Sequence, residues 1–281
     1  MDGILNVLKP AGMTSFDVIA RLRRIYGQKR IGHGGTLDPL AAGVLPVFLG
    51  RAARLIEYAP IHTKTYEAEF LMGFETDTED VSGHIVKRGA PMADFAVWEK
   101  AAEAFCGKIS QVPSLYSAKL INGRRAYDLA REGKTFTLPA KEIEIYALTI
   151  REVRPPYVRL SVTCSSGTYV RSLGRDLGRA AGCPLTMSFL LRSAMGAFTV
   201  TDAKTIEEIE KNPEGALMPL TPELLTLPLF ALSREAADDF LLGKRLRTDA
   251  ADAETQVWCG KDFLGIGRIE AGVLHPKKVW N

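Results

Sequence analysis

The residues best placed to do chemistry lie between Arg30 and Pro46, in the run RIGHGGTLDPLAAGVLP. One carboxylate, Asp38, stands there with one imidazole, His33, behind a basic pair, Lys29 and Arg30. Gly32, Gly34 and Gly35 leave the backbone free to take positive φ and let a ligand approach the main chain closely. Pro39 drives Asp38 out of the α region into an extended or turn conformation. Leu40, Val44, Leu45 and Val47 then return the chain to apolar packing. The pattern describes a single acid on a stiff loop between buried segments. Such an acid can stabilise or trap positive charge at a carbon, or remove a proton. An Asp-Pro turn beside a satisfied histidine is the plain structural alternative.

Other candidates recur along the chain. Lys64 to Phe70, KTYEAEF, alternates as a half-buried strand with Tyr66, Ala68 and Phe70 on its inner face. Thr76, Asp77, Thr78 and Asp80 form a polar loop, and no second cluster with calcium-loop spacing follows it. In VTCSSGTYVRSLGRDLG, Thr168 starts a helix with Val170, Leu173, Leu177 and Ala181 on one side. Arg171, Arg175 and Arg179 lie at four-residue spacing on another side, where Arg175 and Arg179 form a solvated face. The four cysteines, Cys106, Cys164, Cys183 and Cys259, form no Cys-x-x-Cys pair, which argues for a reducing compartment and against a zinc site or disulfide framework. There is no Walker sequence and no dinucleotide fingerprint. Neither a metal nor a cofactor is expected.

Gly32, His33, Gly35, Leu37, Asp38 and Pro39 fit G-H-x-G-x-L-D-P. The stretch resembles the aspartate loop of the pseudouridine synthases, most closely the family of tRNA pseudouridine-55 synthases. The resemblance makes Asp38 the catalytic aspartate, acting as a nucleophile or by removing a sugar proton to give a glycal. LNVLKPAGMTS resembles that family's K-P-x-G-x-T-S motif and puts Lys9 at the substrate site as a buttress of the aspartate loop. Lys64 and Tyr66 fit K-x-Y, which implies that Tyr66 stacks on the target base and that Lys64 helps bind substrate. Cys164, Ser165, Gly167, Thr168, Tyr169 and Arg171 fit C-S-x-G-T-Y-x-R, so Tyr169 should line the base pocket and Arg171 should pair with Asp38. LRSAMGAF, from Leu191 to Phe198, resembles the closing motif, with Leu191 as a pocket wall. His33 is expected to support the opened RNA loop. Gln111 to Gly133 resembles a thumb that closes on RNA, bringing Lys119, Arg124 and Arg125 to its backbone together with Lys29 and Arg30. Leu120 stands where the family has a lysine, which leaves the role of Lys119 open.

The elements that must position these groups follow from pattern. Gly3 to Lys9 is a buried strand, Thr14-Ser15-Phe16-Asp17 a capping-box helix start, Val44 to Leu49 a strand and Arg51 to Tyr58 a helix. Ala93 to Cys106 is helical, Asn122-Gly123 is a turn, and Tyr127 to Arg131 is a helix ended by Gly133. Glu142 to Val153 and Val158 to Cys164 are strands around Pro155-Pro156. Pro213 to Pro228 is a candidate linker, Ser233 to Leu242 is helical, and Thr255 to Trp280 supplies short strands. The expected class is α+β: a mixed, largely antiparallel sheet flanked by helices, the pseudouridine synthase fold, in residues 1–228. The resemblance implies a small PUA-like β domain in residues 229–281.

The chain has 281 residues and a net charge of +3, too little by itself to indicate a partner. Distribution is more informative. No acid occurs between Asp17 and Asp38, while Arg21, Arg23, Arg24, Lys29 and Arg30 are basic, and further clusters follow near Arg124, Arg171, Lys244 and Lys277. Together they fit a phosphate footprint. The expected partner is the T arm of tRNA, with no membrane and no obligate protein partner. The short, quickly interrupted apolar start MDGILNVLKP is not a signal peptide, and the expected location is the cytoplasm. An RNA-binding protein without chemistry explains the clusters equally well, but not an acid set in a basic loop, where it would repel RNA. A glycoside-type hydrolase wants a second paired acid, and none stands out for Asp38. Ribosomal RNA is the remaining alternative substrate.

Overall fold

A computed structural model of the chain describes residues 1–117, 119–121 and 123–280; Asn122 of the expected Asn-Gly turn and Ala118 lie outside them. Two compact units emerge. The first comprises Met1–Pro39, Val44–Ile61 and Gly196–Asn281, and the second comprises Leu40–Gly43 and His62–Met195.

In the first unit, the strand Gly3–Lys9 neighbours the strand Ala42–Leu49, which also pairs antiparallel with Ile31–His33. The helix Ser15–Tyr26 begins with the expected capping box between Thr14 and Asp17, a feature worth about 1 kcal/mol, and ends at Gly27 in the left-handed region. Its buried stripe of Val18, Ile19 and Leu22 packs with Leu5, Val7, Ile31, Leu45 and Val47. Ile206 and Ile209, from the short helix Ile206–Lys211, close the same core.

The C-terminal part of this unit is a five-stranded sheet whose central strands are Ala253–Cys259, Asp262–Glu270 and Val273–Val279. The helix Arg234–Leu241, capped by Ser233, presses Ala237 and Phe240 against Val257, Leu264, Ile269 and Leu274. Trp258, Phe263 and Ile266 share a second core with Leu55, Tyr58 and Leu225. The Tyr58 hydroxyl donates to Glu254 at 2.8 Å. The proline-punctuated stretch expected as a linker therefore buries Ala216, Leu224 and Leu225 in the cores of this unit. Its apolar residues fall between the prolines, and this gives the segment something to pack.

The second unit is built on five strands in the order Leu185–Met195, Lys64–Met72, Tyr157–Cys164, Lys141–Arg154 and Gly107–Gln111, with every neighbouring pair antiparallel. Ala42 and Gly43 pair parallel with Leu191 and Arg192, which makes the sheet mixed. The closeness of that pairing explains Gly43. Its φ is +114°, and a Cβ there would stand 2.3 Å from the Arg192 carbonyl oxygen. The helix Val170–Ala180 covers one face of the sheet. It can lie flush because Gly174 has no side chain: a Cβ there would meet the Phe70 ring at 1.9 Å. The helix Phe95–Glu103 buries Trp98, Ala101 and Ala102.

Candidate active site

The aspartate loop is held from both sides by main-chain bonds within the first unit. On one side, His33 pairs with Val47, and the Gly34 N–H donates to the Pro46 carbonyl at 2.9 Å. Gly34 is required by packing, since a Cβ would approach Ile61 Cδ1 to 2.8 Å. On the other side, Leu37 is buried, its N–H donates to the Ser15 hydroxyl at 2.9 Å, and that hydroxyl donates to the Leu37 carbonyl at 3.2 Å. The Gly12 N–H donates to the Pro39 carbonyl at 2.8 Å. Asp38 thus sits between two pinned residues and is half-buried.

Lys9 was expected at the substrate. It is fully buried, and its Nζ donates to the carbonyls of Pro10 at 2.8 Å and Met13 at 2.6 Å. This bracing closes the turn that carries Gly12 and so supports Pro39. The lysine reaches the loop through backbone, a role that needs a long cation with several donors.

The second unit brings Tyr66, Lys64, Tyr169, Arg171 and Arg192 onto neighbouring elements. Arg171 is buried in the first turn of its helix, with Nη1 donating to the Thr78 carbonyl at 2.9 Å and Nη2 to the Tyr116 carbonyl at 3.1 Å. Its Nη1 also lies 3.7 Å from Oδ2 of the buried Asp80. The opposite oxygen, Asp80 Oδ1, accepts from the Thr78 hydroxyl at 2.8 Å, the Ser82 N–H at 3.0 Å and the Ser82 hydroxyl. Those donors hold the carboxylate in place, and the carboxylate and carbonyls hold the guanidinium plane. Sequence reasoning left Asp80 in a polar loop with no role. The signal that could have found it is a fourth acceptor-rich position in T-D-T-x-D, four residues after Thr76.

Tyr169 immediately precedes the helix, and the Gln111 side chain brackets its main chain. The Tyr169 N–H donates to Gln111 Oε1 at 2.9 Å, and Gln111 Nε2 donates to the Tyr169 carbonyl at 3.1 Å. Tyr66 faces the helix side of the sheet with Ala68 and Phe70, as alternation requires, and is buried. Burial lowers the Lys64 pKa from its ordinary value, and the neighbouring Arg192 charge lowers it further. Burial raises the Cys164 thiol.

Two expectations change. Leu191 pairs with Glu67, on the sheet face opposite Tyr66, whereas Leu190 pairs with Ala68 and takes the Tyr66 face. Leu190 is buried and Leu191 is only half-buried. The difference is one residue of strand register, which exchanges faces completely. Arg175, expected in solvent, has a side chain only 13% exposed. It is paired with Glu79 and Asp176 and donates to the Val112 carbonyl at 3.0 Å. The Glu79 loop folds over this part of the helix, supplies the counter-charge, and also accepts from the Ser172 hydroxyl at 2.8 Å. Burial raises the Glu79 pKa, with Arg175 opposing. Arg179 is exposed as expected.

The thumb segment is anchored at one end and open at the other. The Tyr116 carbonyl is held by Arg171, and the Tyr116 hydroxyl donates to Asp77 at 3.3 Å. Beyond it, Leu120–Ile121 pairs with Arg124–Arg125, and the helix Ala126–Arg131 follows. Arg124 and Arg125 are exposed, with Arg124 ion-paired to Glu132 and Arg125 6.0 Å above the Tyr127 ring. Lys119 is half-buried, and its carbonyl accepts from the Ala126 N–H at 2.7 Å. In the first unit, Lys29 and Arg30 are exposed.

A carboxylate loop, a sheet carrying a buried tyrosine and a helix opening on a clamped arginine define the class: the chain belongs to the TruB family of pseudouridylate synthases. It matches the family described as TruB family pseudouridylate synthase, N-terminal domain, over residues 23–170, and pseudouridine synthase II TruB, C-terminal, over residues 228–279. Among its relatives, a tRNA pseudouridine synthase B of Acaryochloris marina is 42% identical, covering 99% of each chain. The tRNA pseudouridine synthase B of Gloeobacter violaceus is 43% identical, covering 98% of each. In a solved Cbf5-Nop10-Gar1 complex, the similar chain has a TM-score of 0.74 at 22% identity, covering 99% of this chain and 84% of that one. An H/ACA ribonucleoprotein bound to a substrate RNA containing 2′-deoxyuridine gives 0.71 at 20%, covering 99% and 85%. These two establish the shared fold.

Proposed function

We propose that this protein isomerises one uridine of the T-psi-C loop of tRNA, position 55, to pseudouridine. The observation that carries the reading is its similarity, over essentially the whole chain, to proteins named tRNA pseudouridine synthase B. The reaction breaks the N1–C1′ bond, turns the base and joins C5 to C1′. It involves no net oxidation, so the chemistry itself calls for no redox cofactor.

Asp38 is the essential carboxylate in this reading. Charge develops at the sugar carbon when the glycosidic bond opens, and Asp38 either adds to that carbon or takes a sugar proton. Arg171 pairs with Asp38 through the fork that Thr78, Tyr116 and Asp80 hold in place. A guanidinium fixed in this way orients the carboxylate through charge-assisted hydrogen bonds. Tyr66 stacks on the base and takes the C5 proton afterwards. Tyr169 and Leu190, which share this role in place of Leu191, line the pocket, while Lys64 contributes charge at its edge. Lys9 acts through the loop. His33 supports the RNA once the uridine is everted, a step that costs a few kcal/mol in lost stacking and is repaid by pocket and backbone contacts. Residues 1–228 form the catalytic domain and residues 229–281 an RNA-binding one. The thumb from about 111 to 133 grips the T arm with Arg124, Arg125 and Lys119, joined by Lys29 and Arg30. No helix among the described residues is long and apolar enough to cross a membrane, and this reading places the enzyme in the cytoplasm with its tRNA.

Incubation with an unmodified tRNA transcript, followed by pseudouridine mapping, tests the proposal. Product at position 55 is expected. Tight binding without product would establish an RNA-binding protein, and released uracil a hydrolase. Affinity should also fall with salt, because phosphate contacts release counterions. Replacing both Arg124 and Arg125 with alanine should weaken binding and shrink the slope of log affinity against log salt by ~1 to 2. Titrations at several salt concentrations measure that change.

A further inference from the structure

One buried charge has no part in the chemistry described so far. Arg192 is fully buried within the strand Leu185–Met195. It is the direct antiparallel partner of Tyr66, so both side chains project from the same face of the sheet. The two are joined by a side-chain hydrogen bond, and a guanidinium has only donors, so the phenol oxygen accepts. Behind the arginine, the main chain is fixed by Gly43, where even a Cβ would collide with Arg192 N at 2.7 Å. Beside Tyr66 on the other flank lies Val162, which supplies no competing partner. Taking a guanidinium wholly out of water is costly, and a packed methionine or leucine would fill the space at less expense. The cost is offset here by the bond to Tyr66.

We propose that Arg192 is a positioning residue for pseudouridine formation, holding the Tyr66 oxygen in place and stabilising its negative form as the acceptor of the C5 proton. This rests on the reading of Tyr66 given above. In the step concerned, the phenolate oxygen of Tyr66 takes the proton from C5. The C5–H pair becomes the C5–C6 π bond, and the former N1–C6 π pair returns to N1, which takes a proton from water. Tyr66 then gives its proton back to water. A charge-assisted hydrogen bond to the phenolate is stronger than one to the phenol, so Arg192 favours the form that accepts a proton. The opposing influences on Arg192 agree with this: burial lowers its pKa, and Tyr66 raises it. The second cation on the same strand as Tyr66, Lys64, adds to the positive field.

The experiment is a double-mutant cycle on the full chain with unmodified tRNA transcript, read as the single-turnover rate of pseudouridine formation. Arg192→Met should lower the rate ~10²-fold, the order expected when a reacting group loses its support, and should increase the deuterium isotope effect measured with uridine labelled at C5. Arg192→Lys should recover part of the loss. In a Tyr66→Phe background, where no phenol oxygen remains, Arg192→Met should cost almost nothing more. Equal losses in both backgrounds, or an unchanged isotope effect, would show that Arg192 serves only packing. Should Arg192→Met fail to fold by circular dichroism, Arg192→Lys carries the same cycle and isotope measurement. An inactive wild type overturns the functional reading itself, and a fully active Tyr66→Phe overturns the role of Tyr66, so each failure is distinguishable from failure of the Arg192 proposal alone.

Discussion

Asp38→Asn is expected to lower the single-turnover rate of pseudouridine formation by at least ~10³-fold, ~4 kcal/mol of barrier, while tRNA still binds. The amide has nearly the shape of the carboxylate but can neither add to the sugar carbon as an anion nor take a proton at neutral pH. The loop itself should survive the change. Its anchors are the Ser15–Leu37, Gly12–Pro39 and Gly34–Pro46 bonds, which use main chain and the Ser15 hydroxyl. Removing a negative charge from an RNA-facing loop should leave affinity equal or slightly higher. Rate and binding measured on the same preparation decide the matter. A variant that keeps forming product removes Asp38 from the centre of the chemistry, and one that loses binding together with rate points to a damaged loop.

Arg171→Lys should cut the rate ~10²-fold with the fold intact, because charge is kept and geometry is lost. The guanidinium reaches the Thr78 and Tyr116 carbonyls with its two Nη atoms and faces Asp80 at the same time. An ammonium is a single point with rotatable donors and cannot span those positions in one plane. The Thr78 and Tyr116 carbonyls and Asp80 leave the guanidinium one orientation, and the proposed orienting of Asp38 depends on that orientation. Thermal denaturation alongside the kinetics separates lost orientation from lost structure. Turnover close to wild type would remove Arg171 from the role of orienting Asp38.

Much of this protein was legible in its letters, because the chemistry is carried by short runs whose local conformation is self-determined. Glycines and a proline around Asp38 specify a turn wherever they occur, and Thr14 with Asp17 specifies a helix start. Alternation in KTYEAEF was enough to set Tyr66 on the inner face, since a strand has only two faces and Ala68 and Phe70 select the buried one. The family followed from several such runs in a fixed order.

What local sequence could not decide was which distant segment covers each face. Arg171, Arg175 and Arg179 repeat at one spacing, yet the first is buried, the second half-buried and the third exposed. The loop bearing Thr78, Glu79 and Asp80 folds over the start and middle of the helix and not over its end. Leu190 and Leu191 are identical letters in one strand, and only the pairing with Ala68 and Glu67 assigns their faces. Arg192 looks like an interruption of an apolar strand until the ladder sets it opposite Tyr66. Amino-acid type and spacing thus determined the candidate reactive groups and their local shape. Tertiary structure decided which charges are buried and against which partners, because desolvation and pairing depend on residues far away in the chain.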